Sequence, residues 1–225
     1  MHDDLKTQVA EAALEYVTER MVIGVGTGRT ANCFIDALVK RKHWVDACVA
    51  SSVETERRLK AHGFIVLELP VVDTLDFYFD GADEVNSSHQ MIKGGGGALT
   101  REKIVALAAR KFVCMIEPHK WVAHLGQFPV AVEVLPMARS LVARALVDLG
   151  GSPVYRTGFV TDNGNIILDT YDCNPSAVPS LERDIKQIPG VVESGLFLHR
   201  TADIVLCAGA AGVSTKTLSM YSTKK

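Results

Sequence analysis

Residues 21–31 read MVIGVGTGRTA. MVIGV is apolar throughout, the pattern of a strand covered on both faces and not of one that alternates between core and water. GTG is a tight glycine turn, and RTA opens a helical stretch over 29–41. Strand, glycine loop and helix make the first half of a βαβ unit. The expectation is therefore a parallel sheet with helices on its faces.

The same rhythm continues outward. Upstream, MHDDLKTQVAEAALEYV reads as an amphipathic helix. Downstream, ACVAS (47–51), FIVLEL (64–69), LDFYFD (75–80) and FVCMIE (112–117) are further apolar runs, with helical patterns over 53–62 and 100–111. From Phe128 the order changes. FPVAVEVLP is a strand and MARSLVARALVDLGG a helix. PVYRTGFV and NIILDTYD are strands joined by the turn signal TDNGN. AVPSLERDIKQIPG is a helix and VVESGLFL a strand. This β-α-β-β-α-β order is the ferredoxin-like plan. The expected fold is α/β, a Rossmann-like parallel-sheet domain with an inserted smaller ferredoxin-like α+β domain. The first takes residues 1–127 plus 201–225, and the second takes 128–200. ADIVLCAG (202–209) returns to the large sheet, and the polar tail STKTLSMYSTKK is expected to fray at its end.

Composition narrows the function classes. Of 225 residues, 48% are hydrophobic and 22% charged, with a net charge of −2. No basic run marks a nucleic-acid surface, and no stretch approaches the ~18 apolar residues of a membrane span. The N-terminus lacks a signal-peptide pattern. The five cysteines (Cys33, Cys48, Cys114, Cys173, Cys207) are scattered among mostly apolar neighbours and never spaced C-x-x-C. They are expected to be reduced, buried thiols of a cytoplasmic protein. The histidines show no metal-ligand spacing, and His119 and His124 read as surface or core residues. No metal site and no cofactor is expected.

Ligands of parallel sheets bind at the carboxyl ends of the strands, which directs attention to three loops. In GVGTGRTA (24–31), Gly26, Gly28 and Ala31 satisfy G-x-G-x-x-A. The acidic residue that a dinucleotide site needs after the second strand is absent, since that segment reads ASSVE. The loop offers Thr27 and Thr30 hydroxyls and a helix N-terminus, either as a phosphate cradle or as a plain glycine turn. In DGADEVN (80–86), Asp80, Asp83 and Glu84 cluster. They suit a D-G turn, a Mg²⁺ site or hydrogen bonds to sugar hydroxyls. In MIKGGGGALTRE (91–102), Lys93 precedes Gly94, Gly95, Gly96 and Gly97. Thr100 is the expected helix cap, and Glu102 falls in the first helical turn. Four glycines are costly in a folded chain, so the backbone is expected to pass close to another body. No G-K-[ST] follows, so this is no P-loop. A phosphate cradle, carboxylates, an ammonium and a glycine wall on one sheet edge suit proton transfer on a sugar phosphate.

GVGTGRTA, DFYFDGADEVN and IKGGGGALTREKI, in this order and spacing, resemble the active-site segments of ribose-5-phosphate isomerase, type A. The resemblance continues through FPVAVEVLPMARS, LGGSPVYRTGFVTDNGNIILD and IPGVVESGLF. It implies interconversion of ribose 5-phosphate and ribulose 5-phosphate in the pentose phosphate pathway, in homodimers or homotetramers, without metal or organic cofactor. It implies Glu102 as catalytic base, with Asp80, Asp83 and Lys93 as its polar partners. Thr27, Gly28, Arg29 and Thr30 match the phosphate and substrate segment. Gly81, Ala82, Gly94, Gly95 and Gly96 fall in the other two matched segments, Lys120 matches a further substrate-binding lysine, and Lys6 is another cationic neighbour. The family loop usually reads GTGST, and here Arg29 replaces the serine. It either adds a bidentate phosphate contact or points outward. Rival readings are a related sugar-phosphate isomerase/deaminase, a CoA-transferase-like protein, a non-catalytic sugar-phosphate sensor and an NAD enzyme.

Overall fold

The computed structural model describes residues 2–176 and 178–217, the side chains of His2 and Asp3 excepted. In chain order the elements begin with α1 (His2–Ala13), β1 (Met21–Val25), α2 (Arg29–Leu38), β2 (Val45–Ala50), α3 (Val53–Ala61) and β3 (Leu75–Asp80). Next come β4 (Glu84–Val85), β5 (Met91–Ile92), α4 (Leu99–Ala108), β6 (Ala109–Ile116) and β7 (Val130–Val134). α5 (Arg139–Asp148), β8 (Ser152–Tyr155), β9 (Ile166–Tyr171), α6 (Leu181–Lys186) and β10 (Val191–Ser194) follow. β11 (Leu196–Phe197), β12 (Ile204–Gly209) and β13 (Gly212–Thr217) close the described chain.

The large sheet has the order β13-β12-β6-β3-β1-β2. The five strands from β12 to β2 run parallel, and β13 is antiparallel at the edge. From β1 the chain moves outward to β2, then returns past β1 to β3, β6 and β12. The topology therefore reverses between β1 and β3, where ligand sites of such sheets form. The apolar runs explain the layers. Ile23, Val25 and Phe79 pack under α1 and α2 with Phe34, Ile35 and Leu38. Tyr78, Phe112, Cys114 and Val105 of α4 fill the other face.

The second unit is a four-stranded antiparallel sheet ordered β10-β7-β9-β8, with α5 and α6 packed over Val130, Val132, Val134 and Ile166. Numbered within the unit, this is the 4-1-3-2 arrangement of the ferredoxin-like plan.

Four local expectations change. FIVLEL is not a sheet strand. It makes one parallel bridge, Cys48 to Val66, and then enters a 3₁₀ turn at Leu69–Val71. Pro70 lacks the N–H that a ladder needs, and Ile65 and Leu67 remain exposed. VVESGLFL is broken at Gly195. β10 stays in the small sheet, while β11 crosses to pair with β5 in a three-stranded sheet with β4. A Cβ at Gly195 would lie 2.0 Å from the Lys93 carbonyl oxygen, so only glycine lets the strands meet there. The start of the polar tail, Ser214–Thr217, is paired in β13, and its end, where fraying is expected, falls in 218–225, outside the described residues. Of the five cysteines, only Cys48 and Cys114 are buried, while Cys33, Cys173 and Cys207 are half-buried, and all are free thiols.

Side chains tie the two units together. Lys103 of α4, itself buried, reaches Glu182 of α6 at 2.7 Å and Glu193 of β10 at 3.0 Å. Thr100 does not cap α4. The helix starts at Leu99, with the cap position two residues earlier at Ala98, and the Thr100 hydroxyl donates to the buried carboxylate of Glu133 on β7.

Candidate active site

The glycine turn after β1 is shaped by Asp80. Val25 pairs with Phe79, and Gly26 N–H donates to the Phe79 carbonyl at 2.8 Å. A Cβ on Gly26 would sit 1.9 Å from Asp80 Cγ. The first glycine of the G-x-G pattern is thus spent on a neighbouring carboxylate. Gly28, at φ +104°, caps α2 without a side chain and leaves the helix N-terminus open to the cleft. Thr27 Oγ1 lies 2.8 Å from Ser51 Oγ, so the hydroxyl at the end of β2 orients the loop.

Asp80 is fully buried. Its Oδ1 accepts the N–H of Gly81 at 2.7 Å and of Thr27 at 3.2 Å. Its Oδ2 accepts the Tyr78 hydroxyl at 2.5 Å and Lys93 Nζ at 2.8 Å. These four donors leave Asp80 behind the cleft wall and not on it. Asp83 does face the cleft, and it accepts the Gly95 N–H at 2.9 Å. Glu84 turns away and holds the N–H groups of Gly126 and Phe128.

Lys93 is 3% exposed, and its ammonium also donates to the Gly81 carbonyl at 2.6 Å. Burial favours its neutral form, but the carboxylates of Asp80 and Glu102 outweigh that and hold its pKa above the usual lysine range. Glu102 is 4% exposed, with Oε2 at 3.3 Å from Lys93 Nζ. That contact is an ion pair outside hydrogen-bond geometry, and Glu102 Oε2 has no hydrogen-bond partner among the described residues. Burial raises the Glu102 pKa above the ordinary carboxylate range. Lys93 pulls it down, and Asp80 and Asp83 push it up. Two opposing influences act on a carboxylate at a helix N-terminus in a closed pocket, and here desolvation wins.

The glycine run has a divided purpose. Gly94 (φ +107°) and Gly97 (φ +78°) need the left-handed region, and added Cβ atoms there would meet Ala131 at 2.9 Å and Phe159 at 2.2 Å. At Gly95 a Cβ would press on Asp83 at 3.0 Å, whereas at Gly96 it would meet open space. The body that the backbone approaches at three of the four positions is the protein itself.

These groups enclose a cavity of about 610 Å³, within the usual range for small-molecule sites. Thr27, Gly28, Arg29 and Thr30 line it with Gly81, Ala82 and Asp83, as do Lys93, Gly94, Gly95, Gly96 and Glu102. Lys6 and Lys120 join them, Lys120 through a 2.6 Å bond to the Ala82 carbonyl. Arg29 is exposed at the mouth. Two lining residues were missed in the sequence, Glu117 and His119. Glu117 is buried 3.4 Å from Lys6. Both follow the carboxyl end of β6, so the strand-end rule applied to that strand would have found them. Among the described residues, no group of three or more His, Cys, Asp or Glu is placed to hold a metal ion. No helix of the described residues is long and apolar enough to cross a membrane. Cys114, close to Lys93 and Asp80, is pushed by burial to about 12 and is a poor nucleophile.

A buried base beside an ammonium, facing amides and an open helix N-terminus, can move a proton on a small anionic molecule. That places the protein among the isomerases that work by acid–base transfer. The sequence profile of ribose 5-phosphate isomerase A (phosphoriboisomerase A) matches residues 47–212, and the chain belongs to that family. It is 58% identical to ribose-5-phosphate isomerase A of Legionella pneumophila (strain Corby) over 94% of this chain and 98% of that one. The crystal structure of the Neisseria gonorrhoeae ribose 5 phosphate isomerase A superposes with a TM-score of 0.94 at 42% identity, covering 96% and 97% of the two chains. The Methanocaldococcus jannaschii enzyme superposes at 0.90 with 39% identity, covering 96% and 100%.

Proposed function

We infer that this chain interconverts D-ribose 5-phosphate and D-ribulose 5-phosphate through an enediolate, a step of non-oxidative pentose phosphate metabolism. The observation that carries the reading is Glu102, a buried carboxylate of raised basicity that lines the cleft beside the Lys93 ammonium. In the open-chain aldose, Glu102 takes the proton from C2 and leaves negative charge on O1. The carboxylic acid so formed returns that proton to C1. The O2 hydroxyl proton moves to O1, and the ketose results. Lys93 and the glycine amides stabilise the oxyanion, a contribution of about 10²–10³-fold for one such donor. A base of raised pKa is matched to neutral operating conditions.

The other roles follow from position. Asp83 binds substrate hydroxyls. Asp80 acts through Lys93, holding the ammonium in place. The N-terminus of α2, with Thr27, Arg29 and Thr30, carries the phosphate, and Lys6 and Lys120 supply further positive charge. The step draws on no metal or organic cofactor. The domain boundaries 1–127 plus 201–225 and 128–200, a homodimeric or homotetrameric state and a cytoplasmic location complete the proposal. Incubation with ribose 5-phosphate, followed by detection of ketopentose, tests the function. Binding without turnover would favour a sensor, and inert protein would end the reading.

A further inference from the structure

The ferredoxin-like unit sends one side chain to the back of the glycine loop. Arg156, just after β8, donates through Nη2 to the Gly94 carbonyl at 3.2 Å and through Nη1 to the Gly95 carbonyl at 3.3 Å. The guanidinium is fixed by a two-pronged pair with Asp169 of β9, at 2.8 Å and 2.5 Å. Its face lies 5.3 Å from the Phe159 ring, which packs where a Gly97 side chain would be.

A trans peptide carries its C=O and N–H on opposite sides. Drawing the Gly94 and Gly95 carbonyls toward Arg156 therefore turns the Gly95 and Gly96 N–H groups the other way. The first of these amides meets Asp83. The second, on Gly96, has no acceptor among the described residues, and Gly96 lines the cleft. A cation on the Gly95 carbonyl also polarises that peptide and strengthens its N–H as a donor.

We propose that Arg156, locked by Asp169, is a positioning residue that aims the Gly96 amide at the oxyanion of the reaction. The proposal rests on the isomerase reading above. Arg156 touches no substrate atom. It makes the smaller unit part of the catalytic apparatus and accounts for the direction in which this main-chain donor points.

The test compares R156Q and R156K with wild type. Two ligands are used, a phosphorylated four-carbon hydroxamate, which mimics the planar anionic intermediate, and ribitol 5-phosphate, which lacks that oxyanion. In R156Q the expected kcat falls by ~10- to 100-fold, less than or equal to the loss of a whole oxyanion donor. KM and ribitol 5-phosphate affinity stay within about threefold, and hydroxamate affinity falls with kcat/KM. R156K restores only part of kcat, because one ammonium cannot span both carbonyls and Asp169. If R156Q does not fold, R156K and D169N carry the same comparison. Unchanged kcat in a folded variant, equal weakening of both ligands, or full rescue by lysine overturns the proposal. Wild type inactive on ribose 5-phosphate would instead overturn the function. Active wild type with unaffected variants overturns the Arg156 role alone.

Discussion

Glu102→Gln separates what the carboxylate does for turnover from what it does to the fold. Its folded-state pKa lies above the unfolded value of about 4.3, because burial disfavours the charged form. A group raised in this way takes up a proton on folding. Its stabilising contribution is fully present below the unfolded pKa and is lost as pH rises through the folded one. Above that point, ionised Glu102 opposes the fold. Each unit of upward displacement is worth about 1.4 kcal/mol, or about 3–5 °C in Tm for a 225-residue chain. Glutamine keeps the neutral shape at every pH. The variant should therefore melt above wild type near pH ~8.5, and the two curves should converge near pH ~4. Turnover should fall by about 10²–10⁴-fold, the typical worth of a positioned base. Thermal melts across pH, run beside ketopentose production, measure both. A glutamine variant that melts below wild type at the alkaline end, or a gap independent of pH, refutes the electrostatic argument. Turnover retained within about tenfold removes Glu102 as the base.

Gly26→Ala should cost about 1–3 kcal/mol from overpacking and lower kcat, because the new Cβ must displace Asp80 from 1.9 Å. A denaturant midpoint and kcat equal to wild type would show that the turn has room to spare. Asp80→Asn should destabilise by about 3–5 kcal/mol, since it leaves the buried Lys93 ammonium without its closest carboxylate. Asp83→Asn, at a partly exposed position, should cost far less stability while raising KM, and equal losses in the two would contradict this ranking. Arg29→Ser, at the exposed mouth, should change KM more than kcat, and a tenfold drop in kcat with KM unmoved would sink its phosphate role.

The parallel sheet was readable because its strands are largely buried on both faces, so MVIGV and FVCMI are apolar throughout and LDFYFD is interrupted only at Asp76 before the strand-end Asp80. FIVLEL carries the same composition and misleads, because it lies along the edge strand β2 with half its side chains in water. The cleft residues were visible because they cluster at strand ends. What the chain could not disclose were partners distant in sequence. Thr100 has the chemistry of a cap, yet its hydroxyl is claimed by Glu133, 33 positions away. Asp80 has the chemistry of a substrate ligand, yet Tyr78, Lys93 and two amides occupy it first. The glycine run announced close approach correctly, but only packing tells that Phe159, Ala131 and Asp83 are most of what it approaches.

The Lys103 bridge to Glu182 and Glu193 bears on how a sugar enters. Swinging the smaller unit aside would break both ion pairs and the Lys103 bond to the Leu196 carbonyl at once. Entry past the exposed rim at Arg29 needs no such break, so fixing the two halves together with an engineered cross-link should leave the rate of catalysis untouched.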